Sequence, residues 1–176
     1  MRESWIVLLT LGFGLAFIAA QARTGTFGRV VHPGEPTAVF ASGTTGAREL
    51  SAEDAALIRE RYDNATVTPS GLRYIVRASG SGPTPPFGAE ITVHYEGRLL
   101  ANGKKFDSSH DRGEPYQFRL GLGQVIKGWD EAFATMKRGE RRTLIVPCWL
   151  AYGTRRRGAI PPSATLVFEV VLLDFK

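Results

Sequence analysis

Residues 90–107 read EITVHYEGRLLANGKKFD, and their order decides the fold class. Ile91, Val93 and Tyr95 alternate with polar neighbours, the period-two pattern of a strand with one face in a core. Asn102-Gly103 is the strongest short hairpin signal in the chain, because both residues tolerate the positive φ that a tight turn needs. Lys105-Phe106-Asp107 returns as the partner strand. Similar segments flank this hairpin on both sides. Leu72-Arg73-Tyr74-Ile75-Val76 precedes a turn-rich GSGPTPPFG run. Tyr116, Phe118 and Leu120 alternate, and Arg142–Val146 and Thr165–Phe175 follow, the last with Leu166, Phe168, Val170 and Leu172 on one face. Only Gly128–Met136 changes period: Trp129, Ala132, Phe133 and Met136 fall at i, i+3, i+4 and i+7, with Gly139 as a stop. Five or six antiparallel strands around one short helix make an α+β domain over residues 68–176.

The rest of the chain is different in kind. Residues 5–20, WIVLLTLGFGLAFIAA, carry no charge but are short for a membrane span. With Arg2 before them and the small residues Ala20 and Ala22 at positions −3 and −1 of a cut after residue 22, they read as a cleaved secretory signal. An uncleaved anchor and a buried hydrophobic helix are the alternatives. The expected location is therefore the periplasm or a secretory lumen, or a membrane surface if the anchor is retained, with no integral span after cleavage. Residues 23–67 are rich in Gly, Thr and Ala without periodicity and read as a flexible linker. A short helix is expected at about 51–63, capped by Ser51, either pendant or used as a dimer contact.

Composition limits the chemistry. With 176 residues, 43% hydrophobic and 22% charged, the chain has one good core and is neither disordered nor fibrous. Its single cysteine, Cys148, excludes an internal disulfide framework and a CxxC zinc site, and is expected to be buried and inert. The three histidines are His32 in the linker, His94 on the polar face of its strand, and His110. No HExxH, P-loop, GxGxxG or GxSxG is present. Asp107, His110 and Asp111 could imitate a metal cluster, but an exposed turn accounts for them better. Neither metal nor cofactor is expected. What stands out is a set of aromatics separated by small residues: Tyr95, Phe106, Tyr116, Phe118, Trp129, Tyr152 and Phe168. Most belong in a core, yet one short helix cannot seal them all, so some should line an apolar pocket with Asp107 and Tyr152 as its polar points.

Six ordered motifs carry a family resemblance. They are Val93-His94-Tyr95-Glu96-Gly97, Gly103-Lys104-Lys105-Phe106-Asp107-Ser108-Ser109, Gly123–Asp130 (GQVIKGWD), Met136-Lys137-Arg138-Gly139-Glu140, Leu150-Ala151-Tyr152-Gly153, and Ile160-Pro161-Pro162 with Leu166–Val170. Residues 68–176 closely resemble the FKBP-type peptidyl-prolyl isomerases. The resemblance implies a half-wrapped antiparallel sheet with the helix across its concave face and a proline pocket between them. It implies Trp129 as the pocket floor, Phe106 as a catalytic wall, and Asp107 and Tyr152 as polar catalytic contacts. Tyr95, Tyr116, Phe118, Val125, Ile126, Ile160 and Phe168 would bind substrate, with the Ile126 N–H holding a substrate carbonyl. It further implies isomerisation of X–Pro bonds in proline-containing clients, folding of exported proteins, and a macrolide as possible inhibitor. The alternative is a proline-directed binding module or chaperone with little turnover.

One departure is local. Thr154-Arg155-Arg156-Arg157-Gly158 is more basic than the loop it resembles and would overhang the pocket. From residue 70 onward there are 16 Lys and Arg against 10 Asp and Glu, and these three arginines account for half of that surplus. They form a solvated basic turn or select acidic clients. Without a wider basic stripe they do not point to nucleic acid.

Overall fold

The computed structural model describes residues 48–176. The expected leader, the expected linker up to residue 47, and His32 lie outside the described residues. Helix α1 (Ala52–Arg61) begins where the cap was expected, with the Ser51 hydroxyl accepting the Asp54 backbone N–H at 3.0 Å. This satisfies one of the donors that a helix start leaves free. The chain then runs through β1 (Thr66–Val67), β2 (Arg73–Ala78), β3 (Glu90–Leu99), β4 (Lys105–Ser108), the single turn α2 (Ser109–Arg112) and β5 (Tyr116–Arg119). Helix α3 (Lys127–Phe133), β6 (Arg141–Val146), a 3-10 turn at Cys148–Leu150, and β7 (Leu166–Phe175) complete it.

The strands form one open antiparallel sheet in the order β1-β2-β6-β7-β3-β4, with β5 also on β3. β3 is central. β7 pairs along one edge from Ile91 to Leu99, while the other edge is shared, β5 taking Glu90–Val93 and β4 taking Glu96–Arg98. Between these partners, a side chain stands in for a strand. The buried Ser109 hydroxyl accepts the Tyr95 N–H at 2.8 Å and lies 3.2 Å from the Tyr95 carbonyl. The α2 turn thereby stays fastened to β3 between the stretches that β4 and β5 pair with.

The α+β class agrees with the sequence, and three details differ. The sheet has a seventh strand, β1, which begins two residues before the expected domain start and pairs Thr66 with Tyr74. Helix α3 ends at Phe133, short of Met136. Its last turn tightens, with Met136 N–H reaching the Phe133 carbonyl and the Thr135 hydroxyl donating to the Ala132 carbonyl at 2.9 Å. Gly139, at φ 82, serves the turn into β6 instead of closing the helix.

The third difference concerns α1, which is neither pendant nor free. Along β6 and β7 the side chains alternate in face. Leu144, Val146, Leu166 and Phe168 join the main core under α3, whereas Ile145 and Val167 point the other way. There they meet Ile58 of α1 and Leu100, with Leu50, Leu57 and Tyr62 around them. Burial of one such aliphatic side chain stabilises by about 1.5–3 kcal/mol, enough to fix a helix too short to persist alone. The Thr165 hydroxyl adds a 2.7 Å hydrogen bond to the Asp54 carboxylate. On the opposite face, α3 lies close on β6 because residue 128 is glycine: a Cβ there would stand 2.6 Å from Val146 Cγ1.

Candidate active site

Trp129, in the first turn of α3, is 4% exposed and ringed by aromatics. Its ring meets Tyr95 at 4.9 Å and 80°, Phe168 at 5.3 Å and 76°, and Phe133 at 5.4 Å and 72°, the edge-to-face packing that aromatic quadrupoles favour. Its Nε1 is buried and has no hydrogen-bond partner among the described residues. Phe106 stands perpendicular to Phe168 with centroids 5.7 Å apart. These two rings occupy space that a side chain at residue 97 would fill. Gly97 pairs with Asp107 on one side and Phe168 on the other, and a Cβ on it would lie 2.7 Å from Phe106 and 2.9 Å from Phe168.

Together they enclose a cavity of about 730 Å³. Nine of the eleven residues expected at the site line it: Tyr95, Phe106, Asp107, Tyr116, Val125, Ile126, Trp129, Tyr152 and Phe168. Phe118 and Ile160 do not. Both are buried behind the wall, Phe118 with its ring 5.9 Å from Trp129 and 5.5 Å from Phe133, Ile160 under the loop that carries Arg157. The resemblance implied both by motif position, which does not separate a side chain facing the cavity from one supporting it.

One polar cluster sits at the edge. The Tyr95 hydroxyl donates to Asp107 Oδ2 at 2.5 Å, and Arg112 reaches both, through Nη1 to Asp107 Oδ1 and through Nη2 to the Tyr95 oxygen at 2.9 Å. The sequence reading missed Arg112. Its five-residue distance from Asp107 is closed only by α2, whose one turn is capped by the Ser108 hydroxyl and stopped by Gly113 at φ 75. Burial by itself would raise the Asp107 carboxyl, but hydrogen bonds from Tyr95 and Arg112 outweigh it and hold the group below its ordinary value. Burial and the Asp107 hydrogen bond push Tyr95 up to about 12. At neutral pH the cluster therefore holds a carboxylate, a phenol and a guanidinium.

Two donors remain unused. Among the described residues, no acceptor meets the Ile126 backbone N–H or the Tyr152 hydroxyl. Tyr152 is 37% exposed, and burial raises its pKa although the Arg157 charge opposes this. The imitation metal cluster disperses: Asp107 turns to Arg112, Asp111 pairs with Lys105 at 2.6 Å, and His110 stacks on His94 at 4.5 Å. Cys148 is free and half-buried at the 3-10 turn, not sealed as expected.

The family model for the FKBP-type peptidyl-prolyl cis-trans isomerase matches residues 82–173. The chain belongs to the FKBP family of peptidyl-prolyl cis-trans isomerases. It is 51% identical over 107 residues to "FK506-binding protein 1" of Dictyostelium discoideum, covering 60% of this chain and 99% of that protein. It is 56% identical over 90 residues to "Peptidyl-prolyl cis-trans isomerase FPR2" of Saccharomyces cerevisiae, covering 51% and 67%. The crystal structure of AtFKBP13 superposes with a TM-score of 0.60 at 41% identity, covering 64% of this chain and 98% of that one. The matched FKBP region contains every residue lining the cavity, whereas α1, β1 and β2 precede it.

Proposed function

We propose that the cavity receives the prolyl ring of an X–Pro segment over Trp129 and lowers the barrier to rotation about the preceding amide. That barrier is about 18–20 kcal/mol, because a planar amide must give up its resonance. No bond breaks, so a nucleophile is not needed. An acceleration of roughly 10⁵ corresponds to about 7 kcal/mol of preference for the transition state. The twisted amide is less polar than the planar one, so the dry walls formed by Phe106, Tyr116, Trp129 and Phe168 favour it. The Ile126 N–H fixes one substrate carbonyl, and the Tyr152 hydroxyl bonds the carbonyl at the twisting amide. Asp107, held ionised by Tyr95 and Arg112, is the polar contact at the edge. The observation that carries this reading is the pair of unpaired donors at the mouth of an aromatic cavity.

The same cavity suits a macrolide of the FK506 type, the ligand in the name of the Dictyostelium relative. The apolar run at 5–20, which ends on Ala20 and is followed by Gln21-Ala22, supports export, which makes exported proteins with proline-limited folding the clients. The test is an isomerisation assay on an X–Pro peptide. Phe106→Ala and Phe168→Ala are expected to lower kcat/KM at least tenfold, a loss of about 1.4 kcal/mol each, while Trp129→Phe keeps an apolar floor and loses less. Wild-type rates in both alanine variants would remove the site assignment. Peptide binding without turnover in the wild type would make the protein a proline-directed binding module.

A further inference from the structure

The charges lining the cavity do not balance. Apart from the tyrosines, four ionisable side chains line it: Asp107, Arg112, Lys127 and Arg157. The first two neutralise each other. Neither Lys127 nor Arg157 has a salt-bridge partner or a side-chain hydrogen bond among the described residues. The cavity thus presents two uncommitted cations and no uncommitted carboxylate.

Arg157 is also held in place. Its backbone N–H donates to the Ile160 carbonyl at 3.0 Å, and the Ile160 N–H returns to the Arg157 carbonyl at 2.9 Å. The chain turns between them through Gly158, at φ 55, onto a buried Ile160. Arg155 and Arg156, on the same exposed turn, do not line the cavity. The Arg157 charge is felt inside, since it opposes the burial effect on Tyr152.

We propose that Arg157, assisted by Lys127, is a specificity-determining residue that favours X–Pro substrates with an anionic side chain beside the proline. The inference rests on the isomerase reading of the cavity and names its preferred substrate class. An anion there gains two Coulombic partners next to low-dielectric walls, which focus the field, and displaces none of the existing pairs. The preference is electrostatic, so it weakens with salt.

The experiment uses the full chain and exchange NMR, which needs no coupling protease, on peptides that differ only in the residue before proline: Glu, Gln, Lys or phosphoserine. At low salt, kcat/KM for Glu is expected to exceed that for Gln by roughly threefold, the size of a partly exposed ion pair, with Lys below Gln. High salt and Arg157→Gln each bring the Glu/Gln ratio toward one, Lys127→Gln does so in part, and Arg156→Gln leaves it unchanged. Because each ratio is taken within one variant, a loss of folded protein cancels. Phosphoserine above Glu would assign the anion as a phosphoryl group; phosphoserine at or below Glu would assign a carboxylate. A Glu/Gln ratio of one in the wild type, with the Gln peptide turned over, overturns this inference and leaves the isomerase reading standing. An equal drop in the ratio for Arg156→Gln would overturn the assignment to Arg157. No turnover on any peptide overturns the isomerase reading itself.

Discussion

At the scale of single residues, the polar edge of the cavity depends on three groups that fix one another's protonation. Tyr95 and Arg112 both donate to Asp107, so the carboxylate needs no metal or second acid to stay charged beside aromatic walls. The consequence for pH has a definite sign. The folded Asp107 pKa lies below its ordinary 3.8, so its stabilising contribution is complete above that value and is lost as pH falls through the lower, folded one. The Tyr95 pKa, raised from 10.0 to about 12, contributes stability below 10 that is lost as pH climbs toward 12. The gap in Tm between the wild type and Asp107→Asn should stay constant from about pH 9 to about pH 5 and shrink below about pH 4. A gap already closing at about pH 6 would show that Asp107 is not held this way.

At the scale of elements, the site depends on how α3 is fastened to the sheet. Its N-terminal turn brings Trp129 to the cavity lining, and Gly128 lets it approach β6. Beyond its C-terminal end, a buried ion pair takes over. Arg142 Nε bonds Glu140 at 2.6 Å, with both side chains under a tenth exposed, and its Nη1 and Nη2 bond the Thr135 hydroxyl at 2.8 Å and carbonyl at 3.0 Å. Glu140 in turn accepts the Lys137 N–H at 2.9 Å, and the Arg142 guanidinium lies 4.5 Å from the Tyr74 ring centroid. Removing one partner strands a buried charge. Arg142→Ala is therefore expected to lower unfolding free energy by about 3–5 kcal/mol in urea titration, and Arg142→Met with Glu140→Leu to recover most of it. A loss under about 1 kcal/mol for the single variant would mean that the pair behaves as a surface one.

At the scale of the whole described chain, the sheet is covered on both faces, by α3 on one and by α1 on part of the other. That is why Leu144-Ile145-Val146 and Leu166-Val167-Phe168 are continuous apolar runs and not alternating ones. Strands buried on both sides have no polar face to show. These runs are visible in the sequence, but what lies against Ile145 and Val167 is set only by contacts across the fold. The two layers should unfold as one unit. Ile58→Ala is expected to cost about 2–4 kcal/mol and to shift the far-UV circular dichroism and tryptophan fluorescence transitions together, leaving turnover well below Tm unchanged. A helix transition that separated from that of the sheet would show that α1 is only loosely attached.

The sequence by itself determined the α+β class and the family, because alternation, a hairpin turn and ordered motifs are local properties of the chain, and nine of the eleven residues that the family resemblance implied line the cavity. Three matters were decided only in the folded state. One was which rings face the cavity, since Phe118 and Phe168 share a pattern and differ only in what lies in front of them. Another was the partner of Asp107, because Arg112 meets it only after α2 turns the chain back. The last was the docking of α1, where residues 58, 145 and 167 must come together across the fold. Each depends on contacts between residues whose proximity no periodicity encodes.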